Sequence, residues 1–296
     1  MKLLLYEYAC GQPAYVHLPH SVRREGEAMF HALLEDARQL SLEIIANPND
    51  FTLCADKCDG WALIVAPEFD DHLGTLCQAA QTAGWKLLGC SPEAIELTSD
   101  KWQLFRHWQA HQVATPRTWQ PNATPIEAGR YLHKHRFGAG SLELGRWSPS
   151  EKAAESCLVQ EYCEGIAVSI AMLADAAGQL HPLWPAYQHL DENFQYQGGS
   201  LIQDEEHYRR TMEIGLRALR CVSGLLGYVG VDAVLSERGD FAIEINPRIT
   251  TSYLGLRRAT TANLLLNIIH AVDGKPINLD WQNTQIRWDA SGTIYS

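Results

Sequence analysis

The chain has 296 residues, of which 46% are hydrophobic and 20% charged, and its formal net charge at pH 7 is −11. This size predicts a globular protein with two or three structural units. The acidic balance argues against a nucleic-acid-binding surface, which needs clustered Lys and Arg side chains. The first apolar run breaks at Glu7, and no apolar run reaches the roughly 18 residues of a membrane span, so we expect neither a signal peptide nor a membrane helix.

Eight cysteines are spread along the chain without the paired spacing of a zinc site. Cys54 and Cys58 form the closest pair, and no histidine cluster accompanies them. Most of the other cysteines lie in apolar segments, where a free thiol behaves as a small hydrophobic side chain. We therefore expect reduced cysteines and a cytoplasmic location.

The first hundred or so residues alternate apolar strands with amphipathic helices. Strands are predicted at residues 2–8, 42–46, 61–66 and 85–88, and helices at residues 23–40 and 73–83. This alternation is typical of a doubly wound α/β unit. No GxGxxG motif follows the first strand, so the unit is not predicted to be a dinucleotide site.

The rest of the chain divides into a small polar lobe and a larger apolar lobe. The predicted elements are helices from residue 92 and at 100–111, 207–226 and 260–272, short strands between 115 and 157, an apolar strand at 158–173 and a hairpin at 227–249. Gly274 caps the last of these helices, and the end of the chain is predicted to be a weakly patterned tail.

The hairpin at residues 227–249 reads GYVGVDAVLSERGDFAIEINPRI. Asp232 lies on its first strand, while Glu244 and Asn246 lie two residues apart on its second, and hence on one face. The turn brings Asp232 opposite Glu244, so three oxygen ligands share one surface, as Mg²⁺ prefers. Arg248 continues the same alternation as a fixed positive charge. The alternative is that these carboxylates form the solvated face of an ordinary hairpin.

A candidate phosphate site combines two lysines with a glycine loop. Lys101 starts the helix after Ser99-Asp100, and Lys134 lies on a strand that leads into the loop Gly138-Ala139-Gly140-Ser141. Glycines let backbone N–H groups approach phosphate closely and adopt positive φ. Taken singly, glycine loops are common and Lys101 would be a surface lysine.

Residues 159–165 read VQEYCEG and lead into an apolar strand. On its own, this stretch fits two interpretations equally well. It is either an ordinary edge strand or a segment whose backbone lines a nucleotide site.

In this order along the chain, the four motifs resemble those of the ATP-grasp superfamily. The resemblance covers nearly the whole chain and implies an α/β (α+β) protein with the ATP-grasp fold. It implies an N-terminal doubly wound α/β domain at residues 1–98 and an ATP-grasp domain at 99–296, which holds a small lid subdomain at about 115–157 and a metal-binding C-terminal lobe at about 158–275. The activity that it implies is an ADP-forming ligase, which uses ATP with Mg²⁺ or Mn²⁺ to join a small-molecule carboxylate to an amine. Members of the superfamily are often homodimers.

The resemblance also implies roles for single residues. Lys101 and Lys134 hold phosphates together with the glycine loop, and Arg248 and Lys134 steady the transferred phosphoryl group. The implied metal ligands are Asp232, Glu244 and Asn246. The implied adenine and ribose segment is Gln160, Glu161, Tyr162, Cys163 and Glu164.

Three positions depart from the family pattern. His135 stands where the family has proline, and Phe137 stands where a polar residue is common. Ala167 replaces a carboxylate that often holds the ribose, which leaves Glu164 as its candidate partner.

The N-terminal segments LLYEYACG, ALIVAPEFDDHL and GWKLLGCSPEAIELTSDK resemble the ATP-grasp subgroup that contains tyramine–L-glutamate ligase of methanofuran biosynthesis. A ligase of the pyrrolysine pathway is a neighbour of that subgroup. The resemblance implies the γ-glutamyl amide of tyramine as product, although the first loop, Cys10-Gly11-Gln12, carries less glycine than its relatives. The candidate substrate residues are Glu7, Glu68, Gln188 and a turn at Gly198 and Gly199.

Two alternatives stay open at this point. The first is a ligase for other amino acids or amines, such as a dipeptide ligase. The second is a catalytically inactive ATP-binding regulatory protein, whose mark would be a missing metal ligand or lysine, and none is missing. A carboxylase acting on bicarbonate is disfavoured because the chain has no evident biotin-carrier lysine motif.

Overall fold

The computed structural model describes residues 1–11, 18–49, 51, 60–123, 125, 129–138, 144–282 and 284–295. Three sheets run through these residues, two with four strands and one with eight. The predicted close pair Cys54 and Cys58 lies outside them. Within the described ranges, no helix is both long and apolar enough to cross a membrane.

The N-terminal unit is a parallel sheet with a helix packed on each face. Its elements are β1 (Lys2–Glu7), α1 (Tyr8–Gly11), α2 (His20–Arg38), β2 (Glu43–Ala46), β3 (Gly60–Val65), α3 (His72–Thr82) and β4 (Lys86–Leu87). The strands lie in the order β2-β1-β3-β4. Along β1, Leu4 and Tyr6 pack into one hydrophobic core with α3, while Leu3 and Leu5 pack into a second core with α2. Both faces of the sheet are thus covered, as the stability of a parallel sheet requires. The predicted doubly wound unit is confirmed.

Two helices lead from this unit into a small antiparallel sheet. The elements are α4 (Pro92–Ser99), α5 (Lys101–Ala110), β5 (Thr118–Trp119), β6 (Tyr131–His135), β7 (Gly145–Trp147) and β8 (Cys157–Glu161). The strand order is β5-β8-β6-β7. Tyr131, Trp147, Ala153 and Val159 form a separate hydrophobic cluster beside this sheet. The small sheet thus has a core of its own, apart from the two large ones.

The third sheet is antiparallel and forms most of the C-terminal half. The elements are β9 (Ile166–Ala174), β10 (Leu180–Pro182), β11 (Ala186–Leu190), β12 (Tyr196–Leu201), α6 (Glu205–Arg220), β13 (Gly227–Ser236), β14 (Gly239–Asn246), α7 (Ser252–Ala259), α8 (Leu264–Asp273), β15 (Arg287–Asp289) and β16 (Ile294–Tyr295). The strand order is β14-β13-β9-β11-β12-β15-β16, and β10 pairs with β9. Because β13 lies between β9 and β14, Asp232 faces Ser169 on one side and Glu244 on the other.

Two sequence predictions for the C-terminal half are wrong. The sequence predicts a weakly patterned tail, whereas the end of the chain adds β15 and β16 to the large sheet. It also predicts a turn at Gly198 and Gly199, whereas both glycines lie within β12. A Cβ atom at Gly198, whose φ is +140°, would lie 2.1 Å from the Trp288 carbonyl oxygen. The glycines therefore allow β15 to approach β12 closely.

Candidate active site

Three oxygen-bearing side chains lie together on the hairpin of β13 and β14. Asp232 pairs directly with Glu244 across the two strands, as the alternation predicts. Asn246 donates its amide N–H to Asp232 Oδ2 at 3.1 Å, and it lines the same cleft. The register shifts between Asp232 and Ala233, and such bulges are common beside active sites because they re-aim side chains.

The electrostatics of this hairpin fit a divalent cation. Burial, and after it the charge of Glu244, raise the pKa of Asp232. Burial also acts to raise the pKa of Glu244, but the ammonium groups of Lys101 and Lys134 bring it below its usual value. Two carboxylates that face each other in a sheltered cleft repel unless a cation or a proton lies between them. The donor set of two carboxylates and one amide oxygen is the kind that Mg²⁺ prefers.

Both predicted phosphate-binding lysines lie beside these carboxylates. Lys101, the first residue of α5, lies with its Nζ 3.5 Å from Glu244 Oε2 and donates to the Gly138 carbonyl oxygen. Lys134, on β6, is only 7% exposed. Burial lowers the pKa of Lys134 to about 8, and the charge of Glu244 opposes that effect. The structure therefore brings two ammonium groups to one end of the candidate metal site.

A partly buried ion pair that sequence reasoning missed joins the two elements that carry the lysines. Asp100 caps α5 by accepting the Trp102 backbone N–H at 3.0 Å. Its carboxylate also accepts two bonds from the Arg136 guanidinium, at 2.8 and 2.6 Å. Arg136 follows Lys134 by two residues, and Asp100 precedes Lys101, so the pair fixes the end of β6 against the start of α5. The local cap was readable from the sequence, but its partner 36 residues away was not.

Only the start of the predicted glycine loop can be described. Gly138 lines the cleft, whereas Ala139, Gly140 and Ser141 lie outside the described residues. Phe137, a departure from the family pattern, is 41% exposed, and the Arg136 guanidinium lies 5.2 Å from its ring centre.

The end of β8 forms the opposite wall of the cleft, lined by the predicted residues Gln160, Glu161, Tyr162 and Cys163. Gln160 is buried and donates its amide to Thr118 Oγ1 at 2.9 Å. The Glu161 carboxylate accepts from Arg117 at 3.0 Å and from Arg238 at 3.2 Å. Burial acts to raise the pKa of Glu161, and the two arginines outweigh it and lower the pKa. The Glu161 side chain is therefore already paired with two arginines.

Glu164 does not join this wall in the structure. Its carboxylate is exposed and pairs with the Arg130 guanidinium, and among the described residues it borders a neighbouring surface groove rather than the cleft. The position therefore does not favour Glu164 as a ribose partner. Its partner Arg130 lines the same groove.

Arg248 reaches the cleft, and Glu68 holds it there. Arg248 Nη2 donates to Glu68 Oε2 at 3.0 Å, and Arg248 Nε lies 2.9 Å from Glu68 Oε1. The two side chains are 13% and 6% exposed, so the pair is buried. Burial alone would lower the pKa of Arg248, but the charge of Glu68 outweighs it and raises the pKa. Glu68 is thus occupied by Arg248 and is not free to receive a substrate ammonium group.

Of the other four predicted substrate residues, one lines the cleft and three have roles in the fold. Gln188 lines the cleft and donates its amide to Asp232 Oδ1 at 2.8 Å. Glu7 is 4% exposed and accepts the Cys10 backbone N–H at 2.9 Å, so it caps α1 instead. Among the described residues, Glu7, Gly198 and Gly199 do not line the cleft.

The far end of the cleft contains residues that no sequence motif indicated. They are Glu25 and Met29 of α2, Tyr196 of β12, and Thr250, Thr251 and Ser252 before and at the start of α7. The helical spacing of Glu25 and Met29 was visible in the sequence, but a glutamate on an amphipathic helix is normally taken for the solvated face. The cleft therefore extends from β6 and β8, past the paired carboxylates, to the N-terminal unit.

Comparisons with known proteins agree with this architecture. The ATP-grasp domain family matches residues 98–252, just over half of the chain, and the pre-ATP-grasp 3 domain matches residues 37–95. The chain is 28% identical to a tyramine–L-glutamate ligase of Methanocaldococcus jannaschii, over 89% of this chain and 88% of the relative.

Solved structures resemble the whole fold. A protein described as belonging to the ATP-grasp superfamily, from Archaeoglobus fulgidus, superposes with a TM-score of 0.75 at 28% identity, over 97% of this chain and 91% of that one. A carboxyaminoimidazole ribonucleotide synthase from an Aspergillus species, solved with ATP, gives a TM-score of 0.67 at 12% identity, over 97% and 80% of the two chains, and this likeness concerns the fold alone. The chain therefore belongs to the ATP-grasp domain family, and the predicted enzyme class, an ATP-grasp carboxylate–amine ligase, is confirmed.

Proposed function

We propose that the protein joins L-glutamate to tyramine in an ADP-forming reaction and so makes the γ-glutamyl amide of tyramine. The observation that carries the proposal is the single cleft in which two lysines, the paired carboxylates Asp232 and Glu244, and Arg248 follow one another. The relative named tyramine–L-glutamate ligase, which matches most of both chains, supports this choice of substrates.

ATP is proposed to lie with its base against the end of β8 and its phosphates between Lys101 and Lys134. Leu132 and Val234 give the base end of the cleft an apolar lining. The two ammonium groups would offset the phosphate charge, which is the main task of an enzyme that transfers a phosphoryl group. The Aspergillus structure with bound ATP has the same fold, which supports a nucleotide in this cleft.

Asp232, Glu244 and Asn246 would hold Mg²⁺, with Mn²⁺ as the alternative. Bound there beside the phosphates, the ion would neutralise charge on the β- and γ-phosphoryl oxygens.

The residues of the chain then have distinct tasks in two displacement steps. In the first, a γ-carboxylate oxygen of glutamate attacks the γ-phosphorus of ATP and ADP leaves, giving an acyl phosphate. Lys134 and Arg248 hold the transferred phosphoryl group in line for this attack. In the second, the tyramine nitrogen attacks the carbonyl carbon, phosphate leaves, and the nitrogen loses a proton to give the amide.

Release of ADP tests the proposal. The protein is incubated with Mg²⁺, ATP and L-glutamate, with and without tyramine, and Glu244→Gln is the inactive control. We expect tyramine-dependent release of ADP and a product whose mass is that of the two substrates minus water. No release with this pair, but release with other amino acids or amines, would favour the alternative of a different amide ligase. No release of ADP with any member of such a panel would favour a regulatory ATP-binding protein. The homodimer and the cytoplasmic location stay predictions.

A further inference from the structure

We propose that Glu25 binds the ammonium group of the amine substrate, at the end of the cleft that faces the N-terminal unit. The substrate class that fits this site is a primary amine with an uncharged body. The inference rests on the proposed ligase function and adds a residue and a binding site that no motif indicated.

Glu25 faces the cleft because of its place on α2. Gly26, Met29 and Leu33 form the buried side of this helix, and Glu25 precedes Met29 by four residues, so the two side chains lie on the same side. Both line the cleft. Glu27, two residues further on, is exposed to solvent on the other side.

Among the described residues, the Glu25 carboxylate has neither a hydrogen bond nor an ion pair. The other two carboxylates of the N-terminal unit near this end are used by the fold, since Glu7 caps α1 and Glu68 pairs with Arg248. A carboxylate sheltered from water is unfavourable unless a cation or a donor meets it. A carboxylate at the wall of a binding cleft, with no partner among the described residues, is therefore a natural place for a cationic ligand.

The charges around Glu25 agree with this interpretation. Burial raises the pKa of Glu25 to about 7, and Arg248 and Arg24 only partly oppose the effect. Neither arginine comes close enough to form an ion pair with Glu25 among the described contacts. A bound ammonium group would supply the missing charge and favour the ionised carboxylate.

The surfaces next to Glu25 suit the uncharged body of an amine. Met29 is apolar, and Tyr196 is held by the Trp288 indole N–H, which donates to its hydroxyl at 2.9 Å. Thr251 and Ser252 are further uncharged residues of the lining. An alkyl amine with an aromatic ring, such as tyramine, would pack on these surfaces with its ammonium group on Glu25.

Equilibrium binding tests the inference without requiring turnover. Calorimetry measures binding of tyramine and of tyrosol, the analogue in which a hydroxyl replaces the amine, to the wild type, Glu25→Gln and the control Glu27→Gln. We expect the wild type and Glu27→Gln to bind tyramine at least about tenfold more tightly than tyrosol, and Glu25→Gln to lose this preference. Glu25→Asp, which keeps the charge, should retain part of it and shows that a loss in Glu25→Gln is not misfolding.

Equal binding of the two compounds by the wild type, or an unchanged preference in Glu25→Gln, would overturn the inference. A preference for tyramine that depends on Glu25, without any ligation, would leave the inference standing and refute the proposed substrates. Where ligation does occur, Glu25→Gln should raise the KM for tyramine and leave the KM for ATP and glutamate unchanged. A rise in the KM for glutamate instead would assign Glu25 to the amino acid and overturn the proposal.

Discussion

The two ends of the cleft differ in how their charged groups come to face a ligand. At the hairpin, Asp232 and Glu244 are neighbours on paired strands, and the alternation of β13 and β14 turns both toward the cleft. At the N-terminal end, Glu7 ends one strand of the parallel sheet and Glu68 follows another. The fold uses both, and Glu25 of a helix faces the cleft instead. Strand pairing thus sets which carboxylates are available at one end, and distant partners set it at the other.

The largest expected effect on kcat comes from a substitution at the hairpin end of the cleft. Glu244→Gln keeps the shape of the side chain but removes one of two facing charges, so we expect kcat to fall by about 10³-fold, as for loss of a group that stabilises transition-state charge. Glu237→Gln, on the exposed turn of the same hairpin, is the matched control and should leave kcat unchanged. The measurement is the rate of ADP release at saturating substrates.

Thermal unfolding separates a loss of chemistry from a loss of fold. Glu244→Gln removes repulsion with Asp232 as well as attraction to Lys101, so we expect little change in melting temperature. A fall in kcat of less than about tenfold in a folded Glu244→Gln protein would mean that the hairpin carboxylates are only a solvated face.

The same difference explains what the sequence could predict. The hairpin, its facing carboxylates and the two lysines follow from short-range patterns, since period-two alternation places side chains on a common face without knowledge of the rest of the fold. The doubly wound unit follows from strand and helix alternation in the same way.

What the sequence could not predict depends on contacts between distant segments. The pairing of Glu68 with Arg248 joins residues 180 positions apart, and that of Asp100 with Arg136 joins residues 36 apart. The strand that replaces the predicted tail pairs with β12 only because Gly198 lets it approach. No local sequence pattern predicts such pairs, because the sequence around a glutamate after a strand is the same whether or not a distant arginine contacts it.

A smaller effect on kcat is expected from a substitution at the N-terminal end of the cleft. Glu68→Gln leaves the buried Arg248 guanidinium without its charged partner, so the arginine should move and kcat should fall by about tenfold. Asp70→Asn, on the exposed turn two residues further on, is the control. Steady-state kinetics distinguish the two roles of Glu68: a change confined to the KM for the amine would mean that Glu68 meets substrate directly, and a fall in kcat would support its role in holding Arg248.

The smallest effect concerns Asp273, a carboxylate that does not line the cleft. Asp273 accepts from Trp61 at 3.1 Å, from Lys86 at 2.8 Å and from Lys275 at 3.0 Å, and so ties α8 to the N-terminal sheet. Burial acts to raise its pKa, but these donors outweigh it and lower the pKa to about 2. The ionised form is therefore favoured by folding, so its stabilisation is complete above pH 4 and is lost as the pH falls through about 2. Because both lysines are half exposed, we expect Asp273→Asn to lower the unfolding free energy by only about 1 kcal/mol at pH 7. Denaturant unfolding should show this deficit shrinking below pH 4, with Glu43→Gln on the exposed edge of β2 as control. A deficit that is as large at pH 2 as at pH 7 would mean that lost packing, rather than lost charge, is its cause.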